Sequence, residues 1–366
     1  MIPKTTQLGE FDILKGHSEE SSQYLNSLYE ATLLNPVNNF LSRPRKGFRF
    51  ELIYLGYEIA AEIFYARNPH KSNLPEAPLK VLQLFDEVIE LLHSGSLIVD
   101  DIEDQSQMRR GQKTLHNIYG MPTALNAGNW LYFWPLIKIQ NSSLLKPELQ
   151  QKALAECLQT LFFAHTGQAL DIGVTLTQVP RLEVQEVILK TMELKSGALA
   201  SLAMTLGALS LLNHEEISQS EMKSQTEVVF EAIQKFGNHF GQILQIYDDI
   251  GNLTSAANPE KQFEDLRLLR PSFIWSVLAK KCEDQDYQNF FSQIQKIKVE
   301  SPQDPQKMIS YLQEILANKE IQKTAITEAA QITQTWKQEF FQKIPNLSQN
   351  LKIKIETILE RLSHAY

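Results

Sequence analysis

An all-α fold, one large helical bundle of about ten or more helices around a deep central cavity, is what this sequence predicts. Three observations carry that expectation. Apolar residues recur at three- and four-residue spacing almost throughout. Strand-like alternation is scarce, and the breaks between apolar runs are short, with no Ser/Gly-rich linker between halves. Taken in order, Leu82, Phe85, Ile89 and Leu92 line one helical face, and Phe236, Phe240, Ile243 and Tyr247 a second. Ile309, Leu312 and Leu316 make a third, and Ile355, Ile358 and Leu362 a fourth. Pro and small polar residues break the pattern at 68–78, 140–147, 175–180, 256–259, 301–305 and 344–346. Residues 281–366 are polar and Gln-rich but keep the helical period, so they are expected as outer helices of one domain covering 1–366.

Composition narrows the function classes. An apolar share of 43 % with 21 % charged residues allows a sizeable core. The net charge of −8 and the lack of a basic run argue against nucleic acid as partner. Cys157 and Cys282 show neither disulfide-framework nor zinc spacing, which suits a reducing compartment. The first ten residues have no signal-peptide core and are not Arg-rich, so a cytoplasmic location is expected. Residues 196–212 carry no charge, yet their Ser, Thr and Gly content suits a buried bundle helix better than a membrane span.

Two acidic clusters carry the chemistry. Asp100-Asp101-Ile102-Glu103-Asp104 closes an apolar helix, and Asp100 and Asp104 project from one face. Like charges at that spacing repel unless a cation sits between them. Some 140 residues later, Asp248, Asp249 and Asn252 close another apolar run, again with positions four apart sharing a face. Hard oxygen donors without nearby His or Cys select Mg²⁺, an ion that shares itself between one or two carboxylates and substrate phosphates. Arg109-Arg110-Gly111 follows the first cluster closely and supplies guanidinium groups suited to phosphate. An exposed basic turn is the plain alternative for that pair.

The run 91–101 (LLHSGSLIVDD), continuing to Arg110-Gly111 and His116, is similar to the first aspartate-rich region of the trans-prenyl diphosphate synthases. It most resembles the eukaryotic-style geranylgeranyl diphosphate synthases. Ile118-Tyr119-Gly120, 129–133, Gly167-Gln168, Asp171-Ile172, Lys195-Ser196-Gly197, 245–253, Lys261 and Phe263-Glu264-Asp265-Leu266 extend the match, as does Arg45-Lys46-Gly47-Phe48-Arg49 upstream. The resemblance spans 36–275. It implies a prenyltransferase that condenses isopentenyl diphosphate with allylic prenyl diphosphates, using two or three Mg²⁺, in a homodimer. Asp100, Asp101, Asp104, Asp248, Asp249 and Asn252 would form the metal site. Arg109, Lys195 and Lys261 would grip the allylic diphosphate, and Lys46, Arg49, His93 and Arg110 isopentenyl diphosphate. Gln245 would lie beside the reacting carbons, and Asp100, Asp104, Lys195, Gln245 and Asp248 form the catalytic set.

Departures from the family pattern fall near the second cluster. Ser196 replaces a Thr, Tyr247 an Arg, and Arg270 stands for a phosphate-clamping Lys; the Trp-Arg-Asp of close relatives is missing at 173–176. Chain length follows from pocket depth below Asp100. Gly95 and Ser96, roughly 6–7.5 Å down a helix, leave the path open. The resemblance nominates Tyr132, Phe133 and His165 as a deeper floor, giving a geranylgeranyl (C20) product. Two rival readings share these clusters: a class I terpene cyclase, and a non-catalytic partner subunit of another synthase.

Overall fold

The computed structural model describes residues 18–44, 47–67, 78–214, 219–253, 263, 266, 268–300 and 305–364. Lys46, Lys261, the break expected at 256–259, and all but the last residue of those expected at 68–78 and 301–305 lie outside the described residues. The chain divides into two compact units: Met1–Glu51 with Leu79–Leu154, and Leu52–Pro78 with Ala155–Tyr366.

The first unit opens with α1 (Glu19–Tyr29), whose N-cap Ser18 accepts a hydrogen bond from the Ser21 amide at 3.2 Å. A π-turn, Glu30–Leu34, leads into α2 (Asn35–Leu41). Pro36 has no N–H to return to the carbonyl of Thr32, so the widened turn sits where an α-turn would lack its donor. After residues 48–51, which begin α3 (Phe48–Arg67), come α4 (Leu79–Glu103), a short hairpin, α5 (Leu115–Tyr119), α6 (Met121–Gln140) and the first residues of α7 (Pro147–Gly173). The core joins Leu33, Leu34, Val37, Phe40 and Leu41 to Leu91 and Ile98 of α4 and to Ala124, Ala127 and Leu131 of α6. Helices α4 and α6 approach through glycines: a Cβ on Gly95 would meet the Gly128 carbonyl oxygen at 2.8 Å.

The second unit holds the rest of α3 and α7, then α8 (Val184–Met192), a π-turn at Glu193–Gly197, α9 (Ala198–Leu209) and α10 (Gln219–Gly251). There follow α11 (Phe273–Lys281), α12 (Asp284–Glu300), α13 (Pro305–Asn318), α14 (Ile321–Lys343) and α15 (Gln349–His364). Helix α10 is the hub, packed by α9, α11, α14 and α15. On α9, Gly207 lets α3 so close that an added Cβ would stand 1.8 Å from the Ile53 carbonyl oxygen. Trp275, Tyr287, Phe290 and Phe291 fill the space between α11 and α12. The stretch after Lys281 is helical, and α15 is tied to α3 by the Ser348 hydroxyl on Glu62 at 2.7 Å.

Among the described residues, one stretch, Arg181–Asn213, has the length and apolar composition of a membrane span. Its most apolar window is 72 % buried within the protein, as a bundle helix requires. The hairpin is the element the sequence hid. Met108–Arg109 pairs with Gln112–Lys113, and two residues per strand leave no alternation to read.

Candidate active site

Helix α4 ends on the first acidic cluster through a Schellman arrangement. The Ser106 amide donates to the Asp101 carbonyl at 2.9 Å and the Gln105 amide to Ile102 at 3.2 Å, with Gln105 at φ 53°. The Asp104 amide still bonds the Asp100 carbonyl at 2.9 Å, so both residues keep the helical register that puts them on one face. Four residues later the hairpin turns through Arg110 (φ 55°) and Gly111 (φ 74°), the double positive φ of a type I′ turn. That turn aims Arg109 back at the helix end. Its Nε donates to Asp101 Oδ1 at 2.6 Å and its Nη2 to Asp100 Oδ2 at 3.1 Å. Asp101 is 1 % exposed. Burial works against the Arg109 charge, but Asp101 and then Asp100 outweigh it, and the guanidinium pKa is raised.

The same unit gathers further cations. Arg49 pairs with buried Glu90. His93, one helical turn beyond Glu90, is driven well below its ordinary pKa by burial first, then by Arg49, Arg110 and Arg109, against the pull of Asp100. It is a neutral imidazole at physiological pH. Arg110 lies over the Phe40 ring, 5.9 Å from its centroid.

The second unit builds its cluster on the π-turn 193–197. A π-turn inside a helical run re-aims side chains, and here the residues re-aimed are Lys195 and Ser196. Lys195 Nζ bonds Asp171 Oδ2 at 2.6 Å. The Ser196 hydroxyl donates to Gln245 Oε1 at 2.9 Å, and Gln245 Nε2 donates to Asp249 Oδ1 at 2.8 Å. Asp249 Oδ2 accepts the Phe273 amide at 2.7 Å, capping the first turn of α11. Both oxygens of Asp249 thus serve protein groups, whereas Asp248 is half-buried on a neighbouring face. The Asn252 amide bonds the Asp248 carbonyl at 3.0 Å, which keeps those two in helical register. Arg270 is half-buried in the segment before α11, next to Leu269 at φ 60°.

The chain-length candidates separate. Gly95 is turned into α6, where a larger residue would strike Gly128 and Leu131 instead of entering a lumen. Its lack of a side chain serves helix contact, which corrects the expectation that it keeps the pocket open. The reason is azimuth: five residues before Asp100 is about 140° round the helix, while Ser96, four before, is about 40°. Ser96 is half-buried with its hydroxyl on the His93 carbonyl at 2.8 Å. Tyr132 is half-buried, Phe133 is 66 % exposed, and exposed His165 donates from Nδ1 to the Leu161 carbonyl at 2.8 Å.

Two groups escaped the sequence reading. Glu90 gives no signal beyond an acidic residue in an apolar run. Arg43, 2 % exposed, sits in a Ser-Arg-Pro-Arg string that reads as surface. A Mg²⁺ fits the donor set of the first cluster: Asp100 and Asp101 already close around one cation, the Arg109 guanidinium. Among the described residues no three His, Cys, Asp or Glu side chains are set to hold a metal unaided. Mg²⁺ needs no such group, because it keeps waters and takes phosphate oxygens beside one or two carboxylates.

A polyprenyl synthetase family model matches residues 30–314. The chain belongs to the polyprenyl synthetase family. Among similar proteins, the Preasperterpenoid A synthase of Talaromyces verruculosus is 32 % identical over 245 residues, 66 % of this chain and 27 % of that protein. Geranylgeranyl pyrophosphate synthase 2 of Gibberella fujikuroi is 31 % identical over 219 residues, 60 % of this chain and 47 % of that one. This polyprenyl synthetase chain therefore spans less than half the length of either relative. A geranylgeranyl pyrophosphate synthase from Corynebacterium glutamicum, solved with isoprenyl diphosphate and magnesium, shares the all-α fold. Its TM-score is 0.68 at 18 % identity, over 90 % of this chain and 89 % of that one.

Proposed function

We propose that the chain, as one catalytic domain, is a Mg²⁺-dependent prenyltransferase condensing isopentenyl diphosphate with allylic diphosphates, with geranylgeranyl diphosphate as product. The family membership supports the reaction class, and the Asp100–Asp101–Arg109 arrangement carries the reading at the level of chemistry. Two or three Mg²⁺ would supply Lewis-acid stabilisation of the departing diphosphate. Asp100, Asp101 and Asp104 of the first cluster would hold metal, as would Asp248 and Asn252 of the second. Asp249 in this reading orients Gln245 and contributes to the metal only through that position. Arg109 would grip the allylic diphosphate with Lys195, Lys261 and Arg270.

Isopentenyl diphosphate would lie among Lys46, Arg49, Arg110 and neutral His93, which donates one hydrogen bond without adding charge. Gln245 presents its amide to the reacting carbons, fixed by Ser196 and Asp249. The apolar residues around the clusters keep water from the allylic cation, and the released diphosphate takes the proton. Ser96, Tyr132, Phe133 and His165 would set the C20 limit.

Exposed apolar residues suit a homodimer: Leu125 on α6, and, on α7, Leu158 and Phe162, the last 70 % exposed. The two buried free cysteines suit a cytoplasmic setting.

Incubation with Mg²⁺, isopentenyl diphosphate and each of three allylic primers, followed by mass analysis, tests the reading. Elongated diphosphates ending at C20 are expected. The Preasperterpenoid A synthase similarity gives a second reading, cyclisation without condensation, and a cyclic hydrocarbon from an allylic diphosphate alone would establish it instead.

A further inference from the structure

We propose that Arg43 is a positioning residue that clamps the 108–113 hairpin and so sets where the Arg109 and Arg110 guanidinium groups stand. Its Nη2 donates to the Lys113 carbonyl at 3.0 Å and to Asn39 Oδ1 at 3.0 Å, and its Nη1 to the Arg109 carbonyl at 3.5 Å. One guanidinium thus holds a carbonyl on each strand of the hairpin and a side chain at the end of α2. It lies 5.1 Å over the Phe40 ring, against which Arg110 also rests at 5.9 Å. Phe40, fully buried, fixes both arginines against the core.

A guanidinium this deeply buried costs desolvation, which lowers its pKa, with the charge of Asp101 the first to offset that cost. A packing role alone would be met by Leu or Met at no such cost. What an apolar residue cannot do is hold carbonyls on two strands. Lys, with one compact ammonium, cannot fork between them either.

The hairpin needs an outside anchor. It has two residues per strand, and two-stranded hairpins are marginal by themselves in water. Its turn keeps Arg110 at φ 55°, a region that non-glycine residues adopt at a conformational cost. Thr114 supplies one tie, its amide to the Gln107 carbonyl at 3.0 Å and its hydroxyl to the Ser106 carbonyl at 2.8 Å. That tie fixes the outer strand ends. Arg43 reaches Arg109, next to the turn, and ties it across to Lys113 on the second strand. Without it, Arg110 relaxes out of the left-handed region and carries its guanidinium away from the Arg49–His93 side. Arg109 then loses the angle that lets it reach both Asp100 and Asp101.

The role in binding rests on the proposed function; the clamp itself does not, and the test separates them. Full-length wild type, Arg43→Met, Arg43→Lys, Arg110→Met and the Arg43→Met/Arg110→Met pair are compared. The first readout is tryptic cleavage at Arg109, Arg110 and Lys113 without ligand. Arg43→Met and Arg43→Lys should both be cut roughly ten times faster there, since cleavage tracks the population of the open hairpin. The second is calorimetric binding of isopentenyl diphosphate alone. Arg43→Met should weaken it about tenfold, yet weaken it less than about threefold on the Arg110→Met background, because the two act as a unit.

Unchanged cleavage overturns the clamp, whatever the activity. Faster cleavage with unchanged isopentenyl diphosphate affinity, or with independent multiplying effects, overturns the positioning role. If wild type fails to bind isopentenyl diphosphate, the proposed function falls and the digestion still decides the clamp. If the Met variant does not fold, Arg43→Lys carries both measurements.

Discussion

Gly241 stands one helical turn before Gln245 on α10, and its missing side chain is what lets the π-turn of residues 193–197 lie against that helix. In a Gly241→Ala variant the new Cβ would sit 2.3 Å from the Ser196 carbonyl oxygen, 2.7 Å from its carbon and 2.8 Å from the Gly197 Cα. All three are backbone atoms, so no side chain can swing aside. Restoring ordinary contact requires the turn to withdraw by about 1 Å, and displacements of that size near reacting groups cost on the order of a hundredfold in rate. The withdrawal stretches the 2.9 Å bond from Ser196 to Gln245 and moves Lys195 with it. Stability has two opposed contributions. Alanine gains about 1 kcal/mol over glycine in a helix interior, and overpacking costs about 1–3 kcal/mol. A net loss of roughly 1 kcal/mol follows from those two figures. Gly173→Ala is the control: nothing lies within 4 Å of the position its Cβ would take, so it should match or exceed wild-type stability. Denaturant unfolding and steady-state condensation rates on both variants make the assay. A Gly241→Ala protein that is more stable than wild type and fully active refutes the reasoning.

Other outcomes follow from single contacts. His239 stacks on Trp336 with centroids 4.2 Å apart, and burial first, then Lys235, lower its pKa to about 4. Unfolded, it binds a proton below about pH 6.5, so the folded state loses stability as pH falls from there toward 4, at no more than about 1.4 kcal/mol per pH unit. His239→Phe keeps the stack and should flatten that part of a stability–pH profile; an unchanged slope would exclude the imidazole as its source. Asp249→Asn should lower kcat far more than it changes Mg²⁺ affinity, measured by metal titration, because the carboxylate serves the Gln245 amide and the Phe273 N–H. Arg109→Met removes the counter-charge of 1 %-exposed Asp101, and loss of a buried ion partner costs about 3–5 kcal/mol. Added Mg²⁺ should restore more thermal stability to that variant than to wild type, and equal restoration would count against a shared cation site.

How much could be read in advance depended on periodicity. The helices around Leu82–Leu92 and Phe236–Tyr247 announced themselves because a buried stripe repeats every three or four residues. The acidic clusters were visible because charge closing an apolar run is conspicuous. The 108–113 hairpin was not, since its order is a matter of two positive φ angles and Arg43, and neither has a periodic signature. Gly95 faces α6 because it stands about 140° around the helix from Asp100, a direction that its depth along the helix does not reveal. Asp249 looked like its neighbour Asp248 in sequence; about 100° of helical rotation gives one carboxylate to the protein interior and leaves the other half-buried.

A double-mutant cycle on Asp100→Asn and Asp248→Asn, reading Mg²⁺-dependent pyrophosphate affinity by calorimetry, tests whether the two acidic clusters act on one ligand. If one pyrophosphate is held by metal from both, either substitution alone removes most of the affinity. The pair then falls short of the summed losses by about 1 kcal/mol or more. Losses that simply add, or an Asp248→Asn protein that binds as wild type does, would contradict it.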